Sequence, residues 1–293
     1  MDSFSSSFKQ SFYLSEVYAD FCSKITGIKY SEVKIKDKIF FIIKNKNPAI
    51  NNYDDDTVYN FKNLKIKYTR VLNRPNYLEK TPSIIEYSIL FKKSYEEAVK
   101  NYKHSFKEGL RQSTKYDLSA EIPKRIDENV ISKVYNIYAN QMKRLNSYMF
   151  PKSFFNEFIK LNGSLLFLVY YEDKIASYAF CFENKENLYI SIAGGHEDYF
   201  KFRINNKLYD SIIKYACDKS LNIHFGIGIF GSGYQKFKEN AGAINYKCER
   251  FPNDEKFIKI ISRIINTKIF GIILRYISKK SPKRIMFLLV PIT

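Results

Sequence analysis

Apolar residues recur along this chain with two spacings, and each spacing assigns a segment to a strand or a helix. Short runs rich in β-branched and aromatic residues predict three strands in the first part, at 38–43, 84–91 and 115–122. Ser94 is followed three residues later by Glu97, a capping box that predicts one helix from there through about Arg111. We therefore expect a βαβ-like unit in this part of the chain.

Beyond Pro123 the pattern predicts two helices and then a three-stranded antiparallel meander. Val130, Val134 and Met142 keep helical spacing, and Pro151 suits the first turn of the second helix. Polar turns separate the strands of the meander, which are expected at 164–171, 174–182 and 188–193. The remaining predicted elements are a helix, a short strand, a helix and a strand, at 203–218, 222–225, 234–240 and 244–250.

The polar segment 123–127 marks a predicted domain junction. We expect a mixed α/β fold with two domains and a basic amphipathic helical tail, at 1–125, 126–252 and 253–293.

Positive charge is abundant and unevenly placed. The formal net charge is +18 over 293 residues, of which 45% are hydrophobic, as in a folded protein. The segment 255–293 holds nine basic residues and one acid and so carries +8 of that charge. Two interpretations of the other lysines stay open: an anionic partner, or the coding bias of an AT-rich genome.

The cysteines and the lengths of the apolar runs argue against a disulfide-rich, a metal-binding and a membrane-spanning protein. Cys22, Cys181, Cys217 and Cys248 have no close pairing and no histidine at metal-ligand spacing, so we expect neither a disulfide framework nor a metal site. Because no run approaches the ~18 apolar residues of a membrane span, the expected location is the cytoplasm.

Four motifs then occur in one order along the chain. They are Phe106 with Gly109-Leu110-Arg111, the helix entry 149–155, Gly226-x-Gly228, and Phe237-Lys238-x-x-Ala241-Gly242. Over roughly 31–250 the chain resembles the FemABX branch of the Gcn5-related N-acetyltransferase (GNAT) fold, in which two such domains are fused. Ala241 stands where that branch has phenylalanine.

This resemblance implies catalytic candidates. Lys238 matches the family lysine thought to stabilise developing negative charge, and Tyr234 matches a tyrosine that protonates the leaving group. Lys236 and Phe237 are expected to contact substrate, and His196 is a candidate base. Each also has an ordinary interpretation, as a surface lysine, a packing aromatic or a surface histidine.

The resemblance also implies a donor site at the strand that follows the meander. The candidate residues are Gly194, Gly195 and Arg203 in one turn, and Gly226 and Gly228 in another. The first turn departs from the Arg/Gln-x-x-Gly-x-Gly/Ala pattern of acetyl-CoA users, because no glycine follows Arg203. The donor is therefore expected to be either acyl-CoA or an aminoacyl-tRNA, and a basic protein suits both anionic donors.

The basic tail has two interpretations. From Lys256 to Ile277 its apolar residues share one helical face, and a second apolar run follows at 285–290. The segment 256–290 either associates with an anionic membrane surface, making the protein peripheral at the inner face, or packs on the protein body.

Together these features predict an N-acyltransferase that acts on an amine of a cell-envelope, peptidoglycan or surface-polysaccharide precursor, either a small molecule or lipid-linked. The alternative is a non-catalytic basic protein that binds lipid headgroups or RNA on a vestigial transferase fold. No DNA partner is expected, and nucleic acid alone is disfavoured because no recognised RNA-binding motif appears and the basic residues cluster at the apolar tail.

Overall fold

The computed structural model describes residues 16–27, 29–35, 38–43, 46–51, 63–65, 67–71, 85–145, 147 and 149–251. The chain divides into two compact units. The first comprises 1–83, 142–154 and 247–293, and the second comprises 84–141 and 155–246. The sequence-based boundaries at 125 and 252 stay predictions.

The first unit contains one helix and four strands at the start of the described chain: α1 (Glu16–Thr26), β1 (Tyr30–Ile35), β2 (Lys38–Ile43), β3 (Lys46–Asn51) and β4 (Lys67–Val71). The strands pair in sequence order, antiparallel except for the parallel pair β3 and β4. Helix α1 packs on β2 and buries Phe21 and Cys22, while Phe40 and Ile42 of β2 are buried as well.

The remaining elements begin at residue 85. They are β5 (Ile85–Leu90), α2 (Tyr95–Asn101), α3 (His104–Ser113), β6 (Leu118–Glu121), α4 (Glu128–Arg144), α5 (Lys152–Phe158), β7 (Ser164–Tyr171), β8 (Lys174–Glu183), β9 (Asn187–Gly195), a 3-10 helix (Glu197–Phe202), α6 (Ile204–Asp218), β10 (Asn222–Ile229), α7 (Gly233–Asn240) and β11 (Ile244–Phe251). The predicted meander, the helices that flank it and the final strand are all confirmed. The mixed α/β class is therefore confirmed.

Six strands of the second unit form a mixed sheet in the order β5-β10-β9-β8-β7-β6. Neighbours are antiparallel except for the parallel pair β9 and β10. One face carries Ala179 and Cys181, which share a core with α2, α3 and α6. Phe180 points to the opposite face, as alternate strand residues do, and meets Phe155 and Phe158 of α5.

The expected βαβ-like unit is wrong, because β5 and β6 lie at opposite ends of this six-strand order. The two strands pair with segments far from each other in sequence: β5, whose residues 86–90 are all buried, pairs with β10, whereas the mostly exposed β6 pairs only with β7 in the described chain.

The single helix expected from Ser94 to Arg111 is also wrong. The capping box is present, with Ser94 accepting from the Glu97 backbone N–H at 3.2 Å, but the chain leaves the helix at Tyr102. Tyr102 adopts an extended backbone that buries its ring and lets its hydroxyl donate to Asp210 at 3.0 Å. Tertiary contacts therefore override the helical periodicity.

The predicted basic tail, 253–293 with its membrane segment 256–290, lies outside the described residues. Among the helices that the structure describes, none is long and apolar enough to cross a membrane.

Candidate active site

The central feature of the second unit is a parting of its two parallel strands. β9 and β10 are paired only over three residue pairs in the described chain, Asn187 with Asn222, Leu188 with Ile223 and Tyr189 with His224. Both strands continue beyond this point, β9 to Gly195 and β10 to Ile229. Their facing backbone groups therefore become available where the carboxyl ends of parallel strands usually receive ligands.

Each strand carries a bulge next to this point. On β10 the pairing with β5 skips Phe225, and Gly226 follows with a φ of 75°, a left-handed conformation that suits glycine. On β9 the pairing with β8 skips Ser191. Because a bulge bends its strand, both bulges favour the parting of β9 and β10 at the gap.

Helix α7 places a buried lysine against the β10 bulge. Lys238 has an exposure of 0%, and its Nζ donates to the carbonyls of Gly226 and Ile227 at 3.0 Å each. The same Nζ lies 4.3 Å from the ring centroid of Tyr234, one helical turn earlier. The interpretation of Lys238 as a surface lysine is therefore wrong.

Gly228 makes room for this arrangement. A Cβ at that position would overlap Gln235 Oε1 and would lie 3.4 Å from Lys238 Nζ. The Gly-x-Gly motif thus combines a left-handed position at Gly226 with a position that has space for two side chains of α7.

A hydrogen-bonded chain fixes α7. Ser232 caps the helix by accepting from the Gln235 backbone N–H at 3.2 Å, and Gln235 Nε2 donates to Ser88 Oγ at 2.9 Å. Ser88 in turn donates to Asn245 Oδ1 at 2.8 Å, and Asn245 Nδ2 donates to Glu239 Oε1 at 2.7 Å. Sequence reasoning missed these residues because Ser88 and Gln235 are far apart in the chain.

Tyr234 presents a protonated phenol beside Lys238. Its surface is 47% exposed, but its hydroxyl end meets the hydroxyl of the buried Tyr209 at 3.2 Å. Burial raises the pKa of Tyr209 well above its ordinary value and raises the pKa of Tyr234 as well. Both phenols therefore stay neutral at physiological pH and can donate a proton.

The two candidates for substrate contact differ in their surroundings. Lys236 is exposed on α7. Phe237 packs instead on the rings of Phe106 and Tyr209, at centroid distances of 5.5 and 5.0 Å. Phe237 thus has a packing role in addition to any contact with substrate.

The end of β9 is built differently. Gly194 and Gly195 are buried strand residues paired with β8, and His196 N donates to the Ala176 carbonyl at 2.8 Å. The His196 ring lies 3.7 Å from an Asp198 carboxylate oxygen. After the 3-10 helix, Arg203 takes a left-handed φ of 61° and donates from Nε to Gln112 Oε1 at 2.7 Å.

The predicted site residues therefore fall into two groups. Lys238, Tyr234, Gly226 and Gly228 meet at the β10–α7 corner. His196 lies five residues beyond the bulge at Ser191 (191 to 196), about 16 Å further along the strand direction. It belongs, with Gly194, Gly195 and Arg203, to the group at the end of β9.

Where β9 and β10 are still paired, a buried histidine joins the strands. His224 Nε2 lies 3.0 Å from Asn187 Oδ1, and its Nδ1 lies 2.7 Å from the Tyr87 hydroxyl. Tyr189 stacks on the ring at 4.4 Å. Burial lowers the pKa of His224 to about 3, so the imidazole is neutral and holds the strands together.

No group of three or more His, Cys, Asp or Glu side chains suited to a metal ion occurs among the residues that the structure describes.

Comparisons with known proteins agree with this architecture. Residues 100–239 match the family described as acetyltransferase (GNAT) domain. No curated protein matches the sequence. Among solved structures, FemX superposes with a TM-score of 0.60 at 10% identity, covering 86% of this chain and 94% of FemX.

Two further structures share the fold. L-PGS from Bacillus licheniformis gives a TM-score of 0.55 at 7% identity, covering 87% of this chain and 98% of its own. The C-terminal domain of a provisionally named lysylphosphatidylglycerol synthetase from Agrobacterium fabrum gives 0.54 at 10% identity, with 85% and 94% covered. The resemblance predicted from the motifs is confirmed at the level of the fold: residues 100–239 match the GNAT domain model, and the chain has the FemABX-like GNAT fold that these structures share.

Proposed function

We propose that this protein is an N-acyltransferase that moves an acyl or aminoacyl group onto an amine of a cell-envelope precursor. The observation that carries the proposal is Lys238, a wholly buried lysine held on the β10 bulge where the parallel strands part. Burying an ammonium group costs free energy of desolvation unless the charge is paired or hydrogen-bonded.

In acyl transfer, the Lys238 ammonium would stabilise the negative charge that develops in the transition state. An amine attacks a thioester or ester carbonyl, and negative charge develops on the carbonyl oxygen. Two carbonyl acceptors and the Tyr234 ring fix the position of the Lys238 ammonium before substrate binds. A fixed charge in a dry site stabilises the oxyanion without reorganisation.

Tyr234 is proposed to protonate the leaving group. Its pKa is raised, so its phenol carries the proton that a departing thiolate or sugar oxygen needs, and Tyr209 is placed to hydrogen-bond the phenol as it reacts. His196 is proposed as the base that receives the amine proton, through substrate or water that spans the gap.

The donor is proposed to be acyl-CoA or an aminoacyl-tRNA, bound along the parted strand ends. Candidate contacts are the backbone of Gly194 and Gly195, the side chain of Arg203, and the β10 backbone at Gly226 and Gly228. The exposed Arg203 guanidinium suits a phosphate of either donor. Lys236 and Phe237 are proposed to contact substrate from α7.

The acceptor is proposed to be a small or lipid-linked amine. A fold neighbour named for lysylphosphatidylglycerol makes lipid-linked acceptors the first to test. The segment 256–290 is proposed to hold the protein at an anionic membrane surface, where such acceptors occur.

The donor test compares thermal unfolding with acetyl-CoA, with charged tRNA and with uncharged tRNA, because a ligand that binds the folded state raises its apparent stability. Donors that stabilise the protein then enter a transfer assay with Lys238→Ala and the matched Lys236→Ala variant of the same helix. An acyltransferase loses turnover with Lys238→Ala but keeps donor binding. A non-catalytic binding protein shows no transfer by the wild type and only a salt-dependent change in affinity.

A further inference from the structure

A second polar site lies on the face of the sheet opposite α6. Gly194 of β9 pairs with Tyr178 of β8, and a Cβ on Gly194 would lie 2.9 Å from the Tyr178 hydroxyl and would overlap Gln141 Oε1. Both polar atoms therefore converge on the place where Gly194 lacks a side chain. Gln141 reaches it from α4.

Both atoms are buried without a hydrogen-bond partner. Tyr178 has an exposure of 0%, and neither its hydroxyl nor Gln141 Oε1 is satisfied by any described residue. Leaving such groups unpaired is costly, so they are expected to meet a ligand or water with hydrogen-bond donors. Gln141 as a residue is only partly buried, which leaves a route from solvent.

This site lies on β9, the strand that borders the gap at the transfer site. The strand bulge at Ser191 lies three residues before Gly194 on the same strand, beside the gap between β9 and β10. A group held by Gln141 and Tyr178 thus approaches the gap from the face opposite α6.

We propose that Gln141 Oε1 and the Tyr178 hydroxyl bind the primary amine of the acceptor and hold it for attack through the gap between β9 and β10. An amine has two N–H donors, which match two acceptor oxygens. This assignment rests on the proposed function, since it names the acceptor subsite of the same reaction.

The uncharged partners at this site favour the nucleophilic form of the amine. An amine is a nucleophile only when unprotonated, and a buried site with neutral partners favours the uncharged form. Burial holds the pKa of Tyr178 well above its ordinary value, so the phenol remains neutral over the working pH range. The subsite therefore selects free amine over ammonium.

The first experiment measures binding without turnover. Glycinamide is titrated at about pH 9, above the usual pKa range of α-amino groups, into the full chain, Gln141→Leu and Tyr178→Phe, with glycolamide as the ligand lacking the amine. We expect glycinamide to bind the wild type and each variant to weaken binding about tenfold, the loss of one hydrogen bond. Equal affinity of all three proteins for glycinamide, including no binding by any of them, overturns the proposal.

Tyr102→Phe is the matched control, because it also removes one phenolic hydroxyl but loses a bond to Asp210. It should lower the denaturant midpoint and leave glycinamide binding unchanged. Tyr178→Phe should not lower the midpoint, since its hydroxyl has no partner to lose in the unliganded protein. A midpoint that falls as far as in Tyr102→Phe would mean that the hydroxyl is already satisfied, and would overturn the proposal.

The second experiment uses turnover with the acceptor identified by the transfer assay. Tyr178→Phe should raise the acceptor KM about tenfold and leave the donor KM unchanged. Gln141→Glu places a carboxylate beside the amine, stabilises ammonium, and should move the acidic limb of the pH–rate profile to higher pH. An unchanged profile and acceptor KM overturn the subsite. Glycinamide binding without transfer from any donor overturns the proposed function and leaves Gln141 and Tyr178 as an amine-binding site only.

Discussion

The carboxyl ends of β10 and β9 belong to neighbouring parallel strands, yet they are built in opposite ways. The β10 end holds a buried ammonium that is fixed by two carbonyls, by an aromatic ring and by the helix above it. The β9 end is a neutral glycine pair, followed by a 3-10 helix whose charged side chains are exposed. In the proposed function, the fixed charge at the β10 end acts on the reacting atoms and the β9 end contacts the donor.

The contrast between the two strand ends is tested most directly by removing the charge of Lys238. Lys238→Met keeps the side-chain volume, and we expect kcat to fall by about 10²–10³, the usual cost of losing one oxyanion-stabilising group. Steady-state kinetics against Lys236→Met measures the effect, since Lys236 is exposed on the same helix. Equal losses for the two variants would remove any special role of the buried lysine.

The space at Gly228 can be filled without replacing Lys238. Gly228→Ala places a methyl group against Gln235 and Lys238, so we expect a loss of about 1–3 kcal/mol in the free energy of unfolding and slower turnover. Gly233→Ala is the control, because no atom lies within 4 Å of its Cβ position and alanine favours a helix. Urea unfolding of both variants measures the difference, and similar midpoints would contradict the close packing at Gly228.

His224, in the paired part of β9 and β10, is expected to make the free energy of unfolding depend on pH. The folded-state pKa of His224, about 3, lies below the unfolded value of 6.5, so folding is stabilised above pH 6.5 and loses this contribution as pH falls towards 3. The loss from pH 7 to pH 5 should be about 2 kcal/mol.

His224→Gln removes the titrating group while keeping a polar side chain. Urea midpoints at both pH values should differ less in this variant than in the wild type. The same pH sensitivity in the two proteins would show that His224 is not the group responsible.

The smallest expected effect lies at the β9 end. Arg203→Gln should raise the donor KM by a few-fold and leave kcat unchanged, because an exposed charge that contacts phosphate contributes modestly and is screened by salt. Donor KM measured at low and high ionic strength checks this. A large fall in kcat would move Arg203 into the group that acts on the reacting atoms.

The meander and the choice of Lys238 as a candidate residue could be predicted from the sequence, since both rest on local patterns. Helical and strand spacing identified the meander and α6, and the Phe-Lys-x-x-Ala-Gly motif identified Lys238. Its depth of burial could not be predicted, because the packing of α7 also depends on the bond from Gln235 to Ser88, a residue 147 positions away along the chain. The place of β5 was likewise mispredicted, since its pairing with β10 joins distant segments.

The neutral pair Gln141 and Tyr178 left no signal in the sequence. A glutamine on an amphipathic helix and a tyrosine in an apolar strand are ordinary residues for such elements. Only the fold brings them together at Gly194, where the missing side chain gives their polar atoms a common point.

Transfer of an acyl group to an amine is tested most directly by following a labelled acyl group in a single turnover. Radiolabelled acetyl-CoA and aminoacyl-tRNA are each supplied with a mixture of primary-amine acceptors, including aminoacylated and amine-bearing lipids, and the product bond is challenged with hydroxylamine, which cleaves esters and thioesters but leaves amides. We predict a hydroxylamine-stable labelled product from one of the two donors with the wild type, and its loss with Lys238→Met. Donor binding by a folded wild-type protein that yields no amide product from either donor would contradict the account.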